Sequence, residues 1–266
     1  MKIVVLCENT AQPPYSSEHG LSLYIETRNH KLLFDCGQSD LFIENAKLAN
    51  IDLTKVDTVI LSHGHYDHCG GVLAFHQINP NAKIYLHEKA GEDYYHIEPG
   101  IEKYIGIQKE ILALPNLILC HNNLKIDDEL EIIQQINHHH PLSDNQKILK
   151  KRIDGAYICD DFEHEIVLLI HDHINVLLGG CAHNGILNIM ESIPQPIDYV
   201  MSGFHLKQKT YTEQDLKKIE QLGQQLKNYP CKFYSGHCTG PIAYDLLKAI
   251  MKDQLDHLCS GKIINI

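Results

Sequence analysis

Short apolar runs recur along the whole 266-residue chain, and they restrict its fold more than any other feature. They are too short for buried helices, and turn-forming residues follow most of them, so we predict strands. Segments with helical periodicity separate many of these runs. The predicted strands are 2–7, 21–26, 31–36, 56–62, 83–87, 116–120, 130–136, 165–171, 174–180, 197–203 and 231–236.

Helical segments fall between the predicted strands in both halves of the chain. Ser39 is expected to cap one helix, Thr212 begins another, and Pro241 fits the first turn of the last. Strand pairs in each half are followed by helices, so we expect two sheets packed face to face with helices outside. No linker or repeat is visible, which predicts a single domain over 1–266. The remaining predicted helices follow Gly70-Gly71, lie near 184–192 and, more weakly, span 101–114.

The composition argues against several classes of protein. With 23 basic and 34 acidic residues, the net charge is −11, which disfavours nucleic acid and anionic membranes as partners. Nine cysteines without a C-x-x-C pair indicate reduced thiols rather than a disulfide framework. We see neither a secretion signal nor an apolar run of membrane-spanning length, and we therefore expect a soluble cytoplasmic protein. No pattern fixes the oligomeric state.

The segment LSHGHYDHCGG, residues 61–71, places His63, His65, Asp67 and His68 on one turn after a buried strand. A surface turn needs Gly, Asn or Asp rather than imidazoles, so this H-x-H-x-D-H spacing indicates a metal site. Imidazole and carboxylate groups suit Zn²⁺, Fe²⁺ or Mn²⁺. The two pairs of ligands could hold two adjacent cations with a water between them, and that water would ionise at neutral pH.

The H-x-H-x-D-H segment after an apolar strand resembles the metallo-β-lactamase superfamily of metal-dependent hydrolases. The upstream segment LLFDCG has Asp35 where that superfamily carries an aspartate that supports the metal loop. The resemblance spans nearly the whole chain and implies an α+β fold, a four-layer αβ/βα sandwich of two mixed β-sheets with helices on the outer faces. It also implies one or two ions per chain at the sheet edge, with Zn²⁺ expected first and Fe or Mn as alternatives.

A narrower resemblance points to one branch of the superfamily. The chain is similar to dihydropterin-linked proteins, which are 7,8-dihydropteroate synthase-like and belong to methanopterin-type biosynthesis. His183 and His237 match the later metal positions of this branch, although each could instead be a hydrogen-bonded helix cap. The matching segments are CENTA, SEHGLSLYIE, LSHGHYDHCGG, GGCAHNGILNI, SGFHL and GHCTG.

One region departs from the commoner superfamily pattern, which has a T-P-G-H loop and a bridging aspartate in a G-D pair. Gly180-Cys181 stands at the G-D place, and we expect a buried apolar Cys181, with a thiolate ligand as the alternative. The segment CDDFEHE stands in place of the T-P-G-H loop. It leaves Asp160, Asp161 and His164 as candidates for the missing ligand, and it leaves the occupancy of the second metal position open.

Three further residues are expected near the substrate. His205 in SGFHL follows a predicted strand and is either a proton donor or phosphate-binding group, or a hydrogen-bonded core histidine. Glu8 and His19 match N-terminal motifs of the branch and are expected to line the pocket. Asp67 would hold the nucleophile as well as its cation, which makes Asp67 and His205 the catalytic candidates.

Two polar segments permit two interpretations each. The run His138–His140 is expected to be a solvated loop, with a lid over the pocket as the alternative. The run Lys150–Arg152 is expected to be a solvated charged segment, with attraction of an anionic substrate as the alternative.

The leading functional expectation is a hydrolase that directs metal-bound hydroxide at an ester, phosphoester or similar bond of a small, including an anionic, molecule. The first alternative is a pterin–arylamine transferase, which would need both substrates for turnover. The second is a redox diiron protein, although Tyr66 stands in the motif where such relatives usually carry Glu. The third is a metal-binding scaffold without turnover.

Overall fold

The computed structural model describes all 266 residues. The strands, in chain order, are β1 (Lys2–Cys7), β2 (Ser22–Glu26), β3 (Lys31–Phe34), β4 (Thr58–Ile60), β5 (Lys83–His87), β6 (Tyr94–Glu98), β7 (Ile101–Tyr104), β8 (Leu117–Cys120), β9 (Leu124–Lys125), β10 (Leu130–Ile133), β11 (Leu149–Ile153), β12 (Ala156–Cys159), β13 (Val167–His171), β14 (Asn175–Leu178), β15 (Tyr199–Met201), β16 (Lys232–Ser235), β17 (Leu255–His257) and β18 (Ile263–Asn265). The helices are α1 (Leu41–Leu48), α2 (Tyr66–Cys69), α3 (Val72–Ile78), α4 (Ile186–Glu191), α5 (Glu213–Leu226) and α6 (Pro241–Met251). None of these helices combines the length and the apolar character needed to span a membrane.

Two seven-stranded mixed sheets form the centre of the molecule. The first has the order β18-β1-β2-β3-β4-β5-β8, antiparallel from β18 to β3 and parallel from β3 to β8. The second has the order β17-β16-β15-β14-β13-β10-β9, parallel from β17 to β14 and antiparallel beyond. Each sheet therefore has a block of four parallel strands whose carboxyl ends lie at one edge.

Three buried apolar clusters separate the four layers. The cluster between the sheets takes side chains from both halves of the chain, among them Phe34 and Ile60 from the first and Leu168 and Met201 from the second. A second cluster joins the first sheet to α1 and α3, and a third joins the second sheet to the later helices. The strands are apolar on both faces because each sheet is covered on both sides. The α+β sandwich with outer helices is confirmed.

The local helix signals are mostly confirmed. Thr212 caps α5 through a capping box with Asp215, and Pro241 is the first residue of α6. At α1 the cap position is Asp40 rather than Ser39, although the hydroxyl of Ser39 accepts a hydrogen bond from the amide of Leu41. These signals depend only on neighbouring residues, which is why the sequence reveals them.

A third sheet with the order β12-β11-β6-β7 was not predicted. The weakly helical prediction for 101–114 is wrong, because this segment contains β7 and only a short 3₁₀ turn at Lys109–Ala113. The interpretation of Lys150–Arg152 as a solvated run is wrong for Lys151, which lies in β11 and is buried beside Asp161, whereas Arg152 on the same strand is exposed. Polar and apolar side chains are mixed in these strands, so the apolar periodicity that predicts a strand is weak there.

Candidate metal centre

The candidate ligands lie at the carboxyl ends of the parallel strands in both sheets. His63 follows β4, His183 follows β14 and His237 follows β16, while His205 follows β15. Loops at this edge approach one another because the two sheets pack face to face. Segments that are far apart in sequence therefore meet in a single region, which is the usual position of a site in open sheets.

The motif turn is held against the protein by close backbone contacts. A Cβ atom on Gly64 would lie 2.4 Å from the carbonyl oxygen of Ala90, so only glycine fits between His63 and His65. Asp67 and His68 then lie in the short helix α2. The turn therefore presents the imidazoles of His63 and His65 from an extended segment. The carboxylate of Asp67 and the imidazole of His68 come from the helical segment that follows.

Asp35 is fully buried and organises this turn. Its carboxylate accepts hydrogen bonds from the amide and the hydroxyl of Ser62, each at 2.7 Å, and lies 2.6 Å from Nδ1 of His68. Asp35 has a φ of 59°, a left-handed conformation that is uncommon outside glycine. The function that the resemblance implies for Asp35, support of the metal loop, agrees with these contacts.

Four histidines are oriented by a hydrogen bond on Nδ1. The Nδ1 atom of His63 lies 2.8 Å from Oγ of Ser62, and Nδ1 of His68 lies beside Asp35. The partners of the other two are Gln146 Oε1, 3.3 Å from Nδ1 of His183, and Asn9 Oδ1, 2.9 Å from Nδ1 of His237. Each partner can accept a proton from Nδ1, which leaves the Nε2 lone pair free, as metal-binding histidines usually require.

The first group of ligands consists of His63, His65 and His183. Their ring centroids lie 4.6, 4.8 and 4.9 Å apart, and the Nε2 atom of each ring is buried without a hydrogen-bond partner. Burial lowers the pKa of all three rings, that of His65 to about 3, so they stay neutral. Three neutral imidazoles with unsatisfied buried nitrogens fit a cation, because leaving such groups unpaired is otherwise costly.

The second group consists of Asp67, His68 and His237. Nε2 of His68 and Nε2 of His237 are 3.1 Å apart, and Oδ2 of Asp67 lies 3.7 and 3.3 Å from them. Burial opposes a charge on His68, but Asp35 and Asp67 raise its pKa to about 9. The two carboxylates thus favour positive charge at this place, which a metal ion would supply.

Two candidates from CDDFEHE, Asp160 and His164, form a separate buried group with His65, whose ligand atoms lie within 4.8 Å of one another. Nδ1 of His164 accepts a hydrogen bond from the amide of Gly64 at 2.9 Å, and its Nε2 lies 3.1 Å from the carboxylate of Asp160. Both nitrogens of His164 are therefore engaged beside His65, and this buried pair supports the motif turn. Asp161 belongs to no such group and pairs with Lys151.

A cavity of about 590 Å³ opens in front of both groups of ligands. His19 lies in its wall, with Nε2 3.1 Å from Oδ2 of Asp67 and its ring stacked on His237. His205 is also in the wall, with a φ of 46° and its ring 4.3 Å from that of His183. Burial lowers the pKa of His205 to about 4, and its Nδ1 atom has no partner.

Glu8 does not line this cavity, contrary to the expectation that it binds substrate. Only 1% of the residue is exposed, and Oε1 accepts a hydrogen bond from the amide of His237 at 2.5 Å. Its other oxygen accepts from the amide and hydroxyl of Thr10, each at 2.6 Å. Glu8 therefore holds the loop that carries His237, which has a φ of 49°.

The run His138–His140 does not line the main cavity. Nε2 of His140 lies 2.9 Å from the carboxylate of Glu191, at the end of α4. The main-chain amide of His140 also bonds to Asn188. This arrangement agrees with the solvated-loop interpretation rather than with a lid.

Several supporting residues escaped the sequence analysis. Ser62 could have been noticed, because it directly precedes the motif. Asn9 contacts His237, which lies 228 positions later in the chain, and Gln146 contacts His183, 37 positions later. Neither contact leaves a signal in the local sequence. Glu165 is similar: its buried carboxylate accepts hydrogen bonds from the amides of His183 and Asn184 at 2.7 and 2.8 Å.

Two facing mixed sheets with an H-x-H-x-D-H turn and two further histidines at one edge define a metallohydrolase-type fold with a candidate two-metal centre. Comparison with known families agrees: residues 18–159 match the model of the Metallo-beta-lactamase superfamily. The chain belongs to this superfamily.

Two relatives from Methanocaldococcus jannaschii match the chain over almost its full length. Uncharacterized protein MJ0448 is 30% identical in an alignment of 274 positions that covers 99% of this chain and 100% of the relative. The second, 7,8-dihydropterin-6-methyl-4-(beta-D-ribofuranosyl)-aminobenzene-5'-phosphate synthase, is 27% identical over 288 residues, covering 99% of this chain and 96% of the relative. Among solved structures, Tm1679, a metal-dependent hydrolase of the beta-lactamase superfamily, aligns with a TM-score of 0.82 and 27% identity over 100% of this chain and 99% of its own.

Proposed function

We propose that the protein is a metal-dependent hydrolase that acts on an anionic small molecule. It would have two metal positions, with Zn²⁺ as the preferred ion. The observation that carries this proposal is the convergence of four histidines whose Nδ1 atoms are engaged and whose Nε2 atoms face one region. His63, His65 and His183 would hold one ion. Asp67, His68 and His237 would hold the other.

The ions, when bound, would supply Lewis-acid polarisation of the substrate and acidify a water molecule. The chain would contribute orientation and proton handling. His19 fixes the carboxylate of Asp67 from the cavity side, at 3.1 Å. His205 lies in the wall of the same cavity, where its neutral ring would hydrogen-bond a group of the substrate.

The preference for an anionic substrate rests on the rim of the cavity. Lys103, Lys207 and Lys209 lie in its wall although the chain as a whole is acidic. Nζ of Lys103 donates to the hydroxyl of Tyr66 at 2.8 Å, and Lys209 pairs with Glu98. Lys207 forms no ion pair within the chain, which leaves its charge available to a phosphate or carboxylate.

A synthase is the second candidate, because a relative that matches nearly the whole chain is named as one. In that case the same centre would activate a leaving group on a dihydropterin, and an arylamine would displace it. The name of this relative includes a 5'-phosphate, and the lysines of the cavity rim suit such a group. Both candidates thus need an anionic ligand at the same place, and they differ in the number of substrates.

One experiment separates the candidates. Protein purified without chelator is analysed for metal and assayed with a chromogenic phosphodiester and a thioester, and then with a dihydropterin diphosphate plus an arylamine phosphate. A hydrolase turns over single substrates, whereas the synthase acts only when both are present. We expect about two transition-metal ions per chain and hydrolysis of single substrates.

The matched variants are His63→Ala and His121→Ala, the latter a surface histidine with 62% of its side chain exposed. His63→Ala should remove most of the metal and abolish turnover, and His121→Ala should change neither. Full activity in metal-free protein would end the proposal. Oxygen consumption by an iron-loaded form would instead favour redox chemistry.

A further inference from the structure

Cys181 lies between the two groups of ligands. Its Sγ atom and the ligand nitrogens of His63 and His183 all lie within 4.8 Å of one another, and the same holds for Sγ with His68 and His237. The distance from Sγ to Nε2 of His68 is 3.3 Å. No other cysteine belongs to such a group, and Cys181 belongs to two.

The backbone around Cys181 fixes where its thiol points. A Cβ atom on Gly180 would lie 2.1 Å from Oγ of Ser62. The chain therefore passes directly against Ser62, whose hydroxyl contacts Nδ1 of His63. Gly203 donates its amide to the carbonyl of Gly180 at 2.8 Å, and Ala182 has a φ of 51°. A strained residue beside a fixed strand end indicates that the surroundings determine the position of the thiol.

An independent observation shows that this space is built for a ligand. The Nε2 atoms of His63 and His183 are buried without a hydrogen-bond partner, in residues that are 0% and 1% exposed. A thiol is a weak hydrogen-bond donor that satisfies at most one such nitrogen. A cation bound by these nitrogens would therefore meet the sulfur atom as well.

We propose that Cys181 is a thiolate ligand shared by the two metal positions. The inference rests on the proposed metal centre and deepens it, because a soft sulfur donor would favour Zn²⁺ or Fe²⁺ over Mg²⁺ or Mn²⁺. The expected burial of Cys181 is confirmed, since the residue is 3% exposed, and the proposal selects the alternative of a thiolate ligand over an inert thiol. The neighbouring Cys238 has a different environment: its Sγ faces the carbonyl of Cys181 at 3.5 Å and the amide of His205 at 3.3 Å.

The test uses metal-free full-length protein titrated with Co²⁺, because a cobalt–thiolate bond gives a charge-transfer band in the near ultraviolet that oxygen and nitrogen ligands do not give. Wild type is compared with Cys181→Ser, Cys181→Asp and Cys238→Ser, each checked for folding by circular dichroism. Cys181→Asp keeps a metal ligand at this position but removes the sulfur, so it separates loss of the thiolate from loss of the site.

We expect the band in wild type and in Cys238→Ser, and its loss in both Cys181 variants. Cys181→Asp should still bind about two Co²⁺ ions per chain, and the ratio of its Cd²⁺ to Mn²⁺ affinities should shift toward Mn²⁺. Cobalt binding by wild type without the band, or a band that survives in Cys181→Ser, would overturn the inference about Cys181. Either result would leave the proposed metal centre standing. Folded wild-type protein that binds no Co²⁺ would overturn the proposed metal centre together with the inference.

Discussion

At the scale of single residues, Asp35 supports candidate ligands without being a candidate ligand itself. It touches no cavity, yet its carboxylate contacts Ser62 and His68 and thereby orients two of the candidate metal-binding rings. Outer contacts of this kind fix which ring nitrogen carries the proton. The candidate metal loop would therefore depend on a residue that binds no ion itself.

Asp35→Asn should weaken metal binding by about 10- to 100-fold, because an amide cannot accept both the Ser62 and the His68 protons. The measurement is competition for Zn²⁺ against a chromogenic chelator. Asp57→Asn is the matched control, since Asp57 directly precedes β4 at the end opposite the motif and binds the amide of Lys31. Equal affinity of Asp35→Asn and wild type would show that Asp35 has no such role.

Lys207 tests the expected charge of the substrate. Lys207→Ala should raise KM several-fold for an anionic substrate and leave kcat nearly unchanged, because a rim charge aids binding equally in ground and transition states. The difference should shrink at high salt, where exposed charges are screened. The control is Lys217→Ala, a change of an exposed lysine on α5 outside the cavity. An unchanged KM in Lys207→Ala would argue for a neutral substrate.

At the scale of elements, the turn between β2 and β3 connects the two sheets. Nδ1 and Nε2 of His30 lie 2.9 and 2.8 Å from the carboxylates of Asp57, before β4, and Asp127, between β9 and β10. Although burial opposes the charged ring, these two hydrogen bonds raise the pKa of His30 above its usual value. Protonated His30 therefore stabilises the folded state.

Because the pKa of His30 is raised on folding, its contribution is full below the unfolded pKa of about 6.5 and is lost as the pH rises through the folded value. His30→Ala should thus lower the free energy of unfolding more at about pH 5.5 than at about pH 9. Urea denaturation at both values measures the difference. The effect is expected to be modest, since both carboxylates are partly exposed. A larger loss at alkaline pH would contradict this assignment.

The third sheet is the element that shapes the cavity beyond the ligands. His96, Glu98 and Lys103 from β6 and β7 lie in the cavity wall, as does Ile105 just after β7. All four residues of β7 are exposed, and this strand pairs only with β6. Within this hairpin β6 buries Tyr94, whereas β7 contributes to the cavity and not to the core. Changes in β7 are therefore expected to alter the cavity without unfolding the protein.

At the scale of the whole molecule, Glu129 is buried between the halves of the chain. Its carboxylate accepts hydrogen bonds from the hydroxyl of Thr27 at 2.7 Å and from the side chains of Arg28 and Asn29 at 3.2 and 2.8 Å. The apolar cluster between the sheets also draws on both halves. The two sheets are therefore expected to unfold together.

Glu129→Ala should lower the free energy of unfolding by about 2 to 3 kcal/mol, because several donors lose a charged acceptor. Fluorescence and circular dichroism in urea should give one coincident transition in both proteins. The control is Glu131→Ala, on β10 two positions after Glu129, where 27% of the side chain is exposed, and it should cost less. Two separate transitions would show that the halves are independent domains.

Local sequence determined the parts of this protein that depend on neighbouring residues. The H-x-H-x-D-H turn, the apolar strands and the cap at Thr212 involve residues within a few positions of one another, so their geometry follows from backbone periodicity. His183 and His237 were accessible through their strand-end context and the resemblance. The third sheet was missed because mixed polar and apolar strands carry no clear period.

Only the tertiary structure decided what each candidate contacts. Glu8 was expected in the cavity and lies behind His237, and His164 was a candidate ligand but bonds Gly64 and Asp160. Asn9 and Gln146 orient histidines far away in the chain, and Cys181 meets two groups of ligands at once. Such contacts form because the two sheets pack face to face and the carboxyl ends of their parallel strands lie at the same edge. The local sequence does not show which loops meet at that edge.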